Sequence, residues 1–294
     1  MPPTHSLAPA RTTQGIALMT LAMLSIPVCD GLAKYLSTGY SPLFISWARY
    51  AVACLIVLPV AVGAHGPRIF PAEQRVFHLL RTVFLVTAMT LYFLAVAEIQ
   101  LATAISAFFV APIIAMALSI AVLRERMTWR KGLSLAMGFA GSLVILRPGG
   151  TLEPGILLAL GAGLFFAIYM IATRQASQAS DPIKTLTFQC VVGMVLLSPQ
   201  ALLTWTLPSQ ADLLFFAGLG LFSAFSHFLS IAAFRLADAS TLSPLVYLEL
   251  VGSAAIGFLA FGDLPGPATV VGAALIVTAG LILLQRRKTV AETL

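Results

Sequence analysis

The chain has 294 residues, of which 59% are hydrophobic and only 10% are charged, and its mean hydropathy is +0.97. So apolar a chain cannot cover its surface with polar groups, which excludes a water-soluble enzyme or binding domain and indicates a membrane protein. The net charge of +6 is then best explained by basic loops beside anionic lipid headgroups. We expect membrane lipids, and no nucleic acid, as the partners of these charges.

Apolar runs of about 20 residues, the length that crosses a bilayer's hydrocarbon core, follow one another along the chain. Backbone amides in lipid must be hydrogen-bonded within their own segment, and the runs lack the alternation of a barrel strand, so we expect helices. The predicted fold is an all-α polytopic membrane protein with ten spans. In chain order they are 15–36, 42–63, 76–97, 101–123, 128–146, 155–174, 182–206, 211–235, 239–261 and 266–285.

The remaining segments are short. They are an N-terminal tail (1–14), a linker (147–154), a basic C-terminal tail (286–294) and brief loops rich in Gly, Pro and charge. The first apolar run has no small-residue cleavage site, so we expect a retained helix and no signal peptide.

Lysine and arginine are distributed unequally between the two sides of the predicted bundle. With the N-terminus inside, only Lys34 and Arg147 fall outside, while Arg81 lies inside or at the edge of the third span. The positive-inside rule therefore predicts a multi-pass inner-membrane protein with both termini in the cytoplasm. The residues on the cytoplasmic side are Arg11, Arg68, Arg75, Arg124, Arg126, Arg130, Lys131, Arg174, Lys184, Arg235, Arg286, Arg287 and Lys288.

The two halves of the chain resemble each other. A displacement of 140 residues superimposes Gly15 on Gly155, Lys34 on Arg174, Pro42 on Pro182 and Pro59 on Pro199, and segment 102–112 aligns with 239–249. We predict two five-helix repeats, 15–146 and 155–285. Because each repeat holds an odd number of helices, the second enters the membrane from the opposite side. Inverted repeats of this kind are typical of secondary transporters, which bind substrate near the midplane where the halves meet.

Particular segments carry a family resemblance. They are RERMTWRKG (124–132), the following Gly138-Phe-Ala-Gly141, and the second-half counterpart FGDLPGPATVVGAALIVTAG (261–280), where Asp263 stands in place of the family's common Glu. Over nearly its whole length the chain resembles the EamA-like branch of the drug/metabolite transporter superfamily, and within it a bacterial amino-acid exporter. The resemblance implies export of small metabolites by alternating access around a central cavity.

Ionisable residues within the predicted spans are the first candidates for the binding site, and we single out Asp30, Arg49, His227 and Glu249. A charge at a helix centre costs about 2.5–3.5 kcal/mol on insertion scales, so these residues should face the bundle interior. Arg49 either pairs with Asp30 or Glu249 or binds substrate, and Asp30 can also pair with Lys34. His227 bonds to a neighbouring helix or relays protons. Glu249, near the middle of its span, is either a neutral acid hydrogen-bonded between helices or a substrate- or proton-binding group.

Aromatic residues in the middle of spans cannot belong to an interfacial belt, so they either line the substrate cavity or fill the core. These are Tyr92, Phe108, Phe109, Phe166, Tyr169 and Tyr247. Prolines within spans free backbone carbonyls, and Pro27, Pro112 and Pro244 are predicted either as hinges near the binding site or as ordinary kinks.

Small residues of the fifth and tenth spans allow close helix packing, which predicts a scaffold or subunit contact in a monomer or homodimer. They are Ser134, Gly138, Gly141, Gly272, Ala279 and Gly280. Cys29, Cys54 and Cys190 show no metal-binding spacing, so we expect packing roles for them and no metal or cofactor.

Known enzyme and motor motifs are absent from the sequence: there is no P-loop, no H-E-x-x-H, no G-x-S-x-G and no ion-channel filter motif. We therefore predict a secondary transporter and not an enzyme. Its expected substrates are small metabolites, with amino acids, including aromatic ones, as first choice and protons as a potential coupling ion. The alternatives are a drug or nucleoside/nucleotide-sugar exporter of the same superfamily, or a channel-like facilitator.

Overall fold

The computed structural model describes residues 9–99, 104, 107–146, 154–261 and 264–284. Every regular element within these ranges is helical, which confirms the all-α prediction. The helices are α1 (Pro9–Leu36), α2 (Pro42–His65), α3 (Arg75–Glu98), α4 (Ala111–Leu123), α5 (Trp129–Leu146), α6 (Pro154–Ala179), α7 (Pro182–Leu203), α8 (Leu213–Leu236), α9 (Ala239–Leu242), α10 (Leu248–Phe261) and α11 (Pro267–Leu284), with a 3-10 turn at Ser243–Tyr247.

Several of these helices are long enough to cross a bilayer. Within the described residues, 7 helical stretches have the length and hydropathy of membrane spans: Ala10–Leu36, Pro42–His65, Pro154–Ala179, Pro182–Leu203, Leu213–Leu236, Ala239–Ala260 and Pro267–Leu284. Helix α4 is apolar but has 13 residues, and α3 and α5 are not among the 7. A multi-pass membrane protein is therefore confirmed, whereas the number of ten spans stays a prediction.

The packing of the helices repeats between the two halves. Helix α1 packs on α8 as α6 packs on α3, and α1 packs on α10 as α6 packs on α4. Helices α2 and α7 pack on each other, as do α5 and α11. Exchanging the two halves converts each of these contacts either into itself or into another member of the set, as a two-fold relation between repeats requires.

Both the fourth and the ninth predicted spans are interrupted. A turn at Phe109 and Val110 precedes α4, and the 3-10 turn separates α9 from α10, at positions that the repeat alignment makes equivalent. Pro112 was predicted to lie well within a helix, and this is wrong. It occupies the first turn of α4, where proline is favoured because no backbone N–H is needed there.

The other two candidate hinge prolines also lie at close contacts or breaks. Pro244 opens the 3-10 turn. Pro27 lies inside α1, packed so tightly on α10 that a Cβ on Gly252 would come within 2.8 Å of the Pro27 ring. The glycine therefore allows α1 to approach α10 directly at Pro27.

Helices α5 and α11 approach each other closely. Ser134 Oγ donates a hydrogen bond to the Ala279 carbonyl at 2.7 Å. A Cβ on Gly141 would lie 2.7 Å from the Gly272 carbonyl oxygen, and a Cβ on Gly272 would lie 2.6 Å from that of Gly141. Only glycine fits at either position, so the predicted small-residue contact joins two helices of the same chain.

Candidate functional site

The four ionisable candidates from the spans all keep some accessible surface. Asp30 on α1 is exposed, and Arg49 on α2, His227 on α8 and Glu249 on α10 are half-buried. Asp30, Arg49 and Glu249 lie within electrostatic range of one another. Because three ionisable side chains with accessible surface lie this close together between helices, we interpret their surroundings as the central cavity.

Arg49 makes no ion pair with any described residue. The ion pairs among the described residues involve other side chains, so the pairing of Arg49 with Asp30 or Glu249 is not formed. The guanidinium lies over the Tyr50 ring at 5.4 Å, and its Nε has no hydrogen-bond acceptor. Neither carboxylate forms an ion pair with the guanidinium, so all three groups can still pair with charged groups of a ligand.

The break before α10 explains how a carboxylate is accommodated at Glu249. Because the 3-10 turn ends at Tyr247, Glu249 falls in the first turn of α10. The unpaired N–H groups and the dipole of a helix N-terminus favour negative charge there. Broken helices whose ends face a substrate near the midplane are typical of inverted-repeat transporters.

The six aromatic candidates form one connected set of ring contacts, with Phe108 at its centre. One branch joins Tyr92, Phe108 and Phe166, with centroid distances of 5.2 Å and 5.3 Å, and continues from Phe166 to Tyr169 at 5.7 Å. Tyr92 and Phe166 are half-buried and can present a ring face to a ligand.

The other branch runs from Phe108 through Phe109 to Tyr247. Phe108, Phe109 and Tyr247 are buried. A Cβ on Gly138 of α5 would lie 2.5 Å from the Tyr247 ring, so this tyrosine is held against α5. These three rings pack the core around the two helix breaks in this conformation.

A second buried cation was not among the predicted site residues. Arg81 on α3 is fully buried, donates to Gln189 Oε1 at 2.6 Å and to Thr173 Oγ1 at 3.1 Å, and lies over the Tyr169 ring at 5.3 Å. We call Arg81, Tyr169, Thr173 and Gln189 the Arg81 cluster. An arginine six residues into an apolar helix and a glutamine in the middle of another were the sequence signals for it.

Ion pairs link the two halves at one membrane face. Glu125 accepts hydrogen bonds from the backbone N–H groups of Ala239 and Ser240, at 3.0 Å and 2.8 Å. Arg174 pairs with Glu125 and with Asp238, and Lys131 pairs with Asp238. We call this side the basic face, and the side where Tyr40 bonds to Asp212 the opposite face. The network holds the described helix ends of the basic face together.

These features define a class of protein. A helical membrane bundle with two related halves, two broken helices and charged side chains at a shared cavity is the architecture of a secondary transporter. The EamA-like transporter family matches the chain twice, over residues 13–147 and 153–285. The chain belongs to this family, and it is therefore a transporter and not an enzyme.

Individual relatives resemble nearly the whole chain. The S-adenosylmethionine uptake transporter of Rickettsia prowazekii is 28% identical, with 93% of each chain covered. The riboflavin transporter of Vibrio cholerae is 27% identical, with 90% of each covered. A solved crystal structure shares the fold with a TM-score of 0.78 at 20% identity, over 93% of this chain and 96% of that one.

Proposed function

We propose that the protein is a secondary transporter for small metabolites that carry an amino-acid group and additional positive charge, with S-adenosylmethionine as the first candidate. It works by alternating access in the inner membrane, with the basic face in the cytoplasm. The observation that carries the proposal is the charge balance of the central cavity. Asp30 and Glu249 are two carboxylates, Arg49 is a single guanidinium, and the three make no ion pair with one another.

This balance complements a particular distribution of ligand charge. S-adenosylmethionine has a sulfonium group, an ammonium group and a carboxylate, and so presents two cations and one anion. Each would meet an opposite charge in the cavity, and its adenine could stack on Tyr92 or Phe166, which are half-buried. The name of the Rickettsia relative, similar over 93% of the chain, supports the same substrate.

Amino acids, including aromatic ones, are the second candidate. Their ammonium and carboxylate groups would match Arg49 and one of the acids, but leave the other acid without a partner. Riboflavin, named for the Vibrio relative, has an aromatic ring system but no cation for Asp30 and Glu249. The charges of the cavity therefore favour S-adenosylmethionine over both.

The test is transport by the purified protein in proteoliposomes. Labelled S-adenosylmethionine should enter, and unlabelled S-adenosylmethionine should compete more strongly than S-adenosylhomocysteine, which lacks the sulfonium charge, or methionine. Glu249→Gln keeps the shape of the side chain and removes its charge, so it should weaken S-adenosylmethionine transport about tenfold or more, the scale of a charge-assisted contact. Asp212→Asn, at a half-buried acid of the opposite face, is the matched control.

Other outcomes would overturn the proposal. Faster transport of methionine or phenylalanine than of S-adenosylmethionine would establish the amino-acid alternative. Transport of riboflavin alone would show that the cavity charges do not select the substrate. Wild-type transport by Glu249→Gln would show that Glu249 is structural.

A further inference from the structure

Unsatisfied polar atoms gather around the Arg81 cluster. Arg81 Nη1, Gln189 Nε2, Thr185 Oγ1, Tyr50 Oη and both ring nitrogens of His78 are buried and have no hydrogen-bond partner among the described residues. Buried polar atoms are nearly always bonded to protein, to water or to a ligand. Several unsatisfied polar atoms around one guanidinium therefore indicate a binding site for a polar ligand.

We expect the ligand of this cluster to be an anion. Arg81 is fully buried, and none of the ion pairs among the described residues includes it. Its contacts are with the hydroxyls of Thr173 and Tyr169, the amide oxygen of Gln189 and the Tyr169 ring. A buried cation costs several kcal/mol unless an opposite charge compensates it, so neutral contacts alone leave this guanidinium incompletely stabilised.

The Arg81 cluster lies on the basic half of the bundle. Thr173, which accepts from Arg81, directly precedes Arg174 of the basic-face network. Arg49 lies on the other half, about 11 Å into α2 from the opposite face at 1.5 Å per residue. The two arginines are therefore separated along the direction of transport.

Two side chains lie near both arginines. His227 lies within electrostatic range of both Arg49 and Arg81. The Arg49 guanidinium lies over the ring of Tyr50, and Tyr50 also lies within electrostatic range of Arg81. Two polar side chains thus lie near both guanidinium groups, of which that of Arg49 belongs to a half-buried residue and that of Arg81 to a fully buried one.

From these contacts we infer that Arg81 is a second binding site for the carboxylate of the substrate, occupied when the bundle opens toward the basic face. The inference rests on the proposed function, because it needs a substrate with a carboxylate. In the conformation described here Arg49 can be reached and Arg81 cannot. After the conformational change the carboxylate would pass from Arg49 to Arg81. In each access state the carboxylate would therefore pair with one arginine.

The experiment compares two substrates at each face of the membrane. S-adenosylmethionine and its decarboxylated analogue share the sulfonium and the amine and differ in the carboxylate. The substrate concentration that gives half-maximal transport (the half-saturation concentration) is measured in proteoliposomes. Protease accessibility establishes the orientation of the protein in them. Arg81→Gln should raise the half-saturation for S-adenosylmethionine at the basic face about tenfold or more, the scale of a lost charge-assisted bond. At the opposite face, or with the decarboxylated analogue, the same substitution should change the half-saturation concentration by less than about threefold.

Matched variants separate binding from folding. Arg235→Gln removes an exposed arginine from the same face and should leave both values unchanged. Gln189→Glu places a resident carboxylate beside Arg81, where the side chain already lies 2.6 Å away. It should fold, because the buried guanidinium gains a counter-charge, and it should still exclude the carboxylate of the substrate. It therefore tests the site even if Arg81→Gln does not fold.

The outcomes distinguish the inference from the proposed function. If the wild type carries S-adenosylmethionine but Arg81→Gln and Gln189→Glu weaken both compounds equally, or neither, Arg81 is structural and the inference is overturned. If the wild type carries an amino acid instead, the proposed substrate fails, and the same comparison between that amino acid and its decarboxylated amine decides the inference. Transport only of a solute without a carboxylate would overturn both.

Discussion

The hydroxyl of Tyr247 donates a hydrogen bond to the carbonyl oxygen of Phe109 at 3.1 Å, and so joins the two helix breaks. The carbonyl is free because the N–H of Ile113 donates to Val110 at 3.0 Å instead of closing an α-helical bond to Phe109. One repeat thus supplies the donor for a backbone acceptor left open in the other.

Tyr247→Phe removes this donor and leaves a buried carbonyl unsatisfied. We expect a loss of about 1 kcal/mol in the free energy of unfolding, the scale of such bonds in proteins and membranes. The measurement is thermal unfolding in detergent. Tyr35→Phe, at an exposed tyrosine of α1, is the control, and equal melting of the two variants would contradict the role given to this bond.

The contact of Gly141 with Gly272 predicts intolerance to a single methyl group. Alanine gains up to about 1 kcal/mol over glycine in a helix interior, but overpacking against rigid atoms costs about 1–3 kcal/mol. At Gly141 the added Cβ would lie 2.7 Å from a backbone oxygen, which cannot move aside easily, so Gly141→Ala should destabilise the protein.

Gly280 on α11 offers the matched substitution. Its added Cβ would meet only Leu245 Cδ2, at an ordinary contact distance of 3.6 Å. Gly280→Ala should therefore melt at or slightly above the wild-type temperature, and a lower melting temperature than Gly141→Ala would refute the packing argument.

Glu125 is central to the basic-face network. Glu125→Gln removes the negative charge that faces Arg174 and the two backbone N–H groups. Charge-assisted bonds are roughly twice as strong as neutral ones, so the closed basic face should become less populated. Cys190, buried beside Gln189, should then react faster with a thiol reagent added at that face.

The control for this gating experiment is Asp212→Asn, which neutralises an acid at the opposite face. It should leave Cys190 labelling at the wild-type rate. Replacing Cys29 and Cys54 by Ser isolates the signal of Cys190. Unchanged labelling of Glu125→Gln would mean that the network does not hold the basic face closed.

The uneven distribution of Lys and Arg predicts the topology, with both termini in the cytoplasm. Reporter fusions placed after Pro42, Gly150 and Asp263 should report the outside, and fusions after Arg68 and Gln178 the inside. A cytoplasmic signal from any of the first three would refute the ten-span arrangement.

The sequence by itself determined the helical membrane bundle, the two related halves and the depth of Asp30, Arg49 and Glu249. Hydropathy and repeat spacing are properties of consecutive residues, so they can be read along the chain. The tertiary structure alone decided that the helices before Pro112 and around Pro244 are broken, and hence that Glu249 stands at a helix N-terminus. It also decided that Arg49 forms no ion pair with Asp30 or Glu249 and that Arg81 contacts Thr173 and Gln189. The partners of a buried charge depend on which helices lie side by side and on how each helix is rotated about its axis. The sequence of a single helix specifies neither its neighbours nor its rotation.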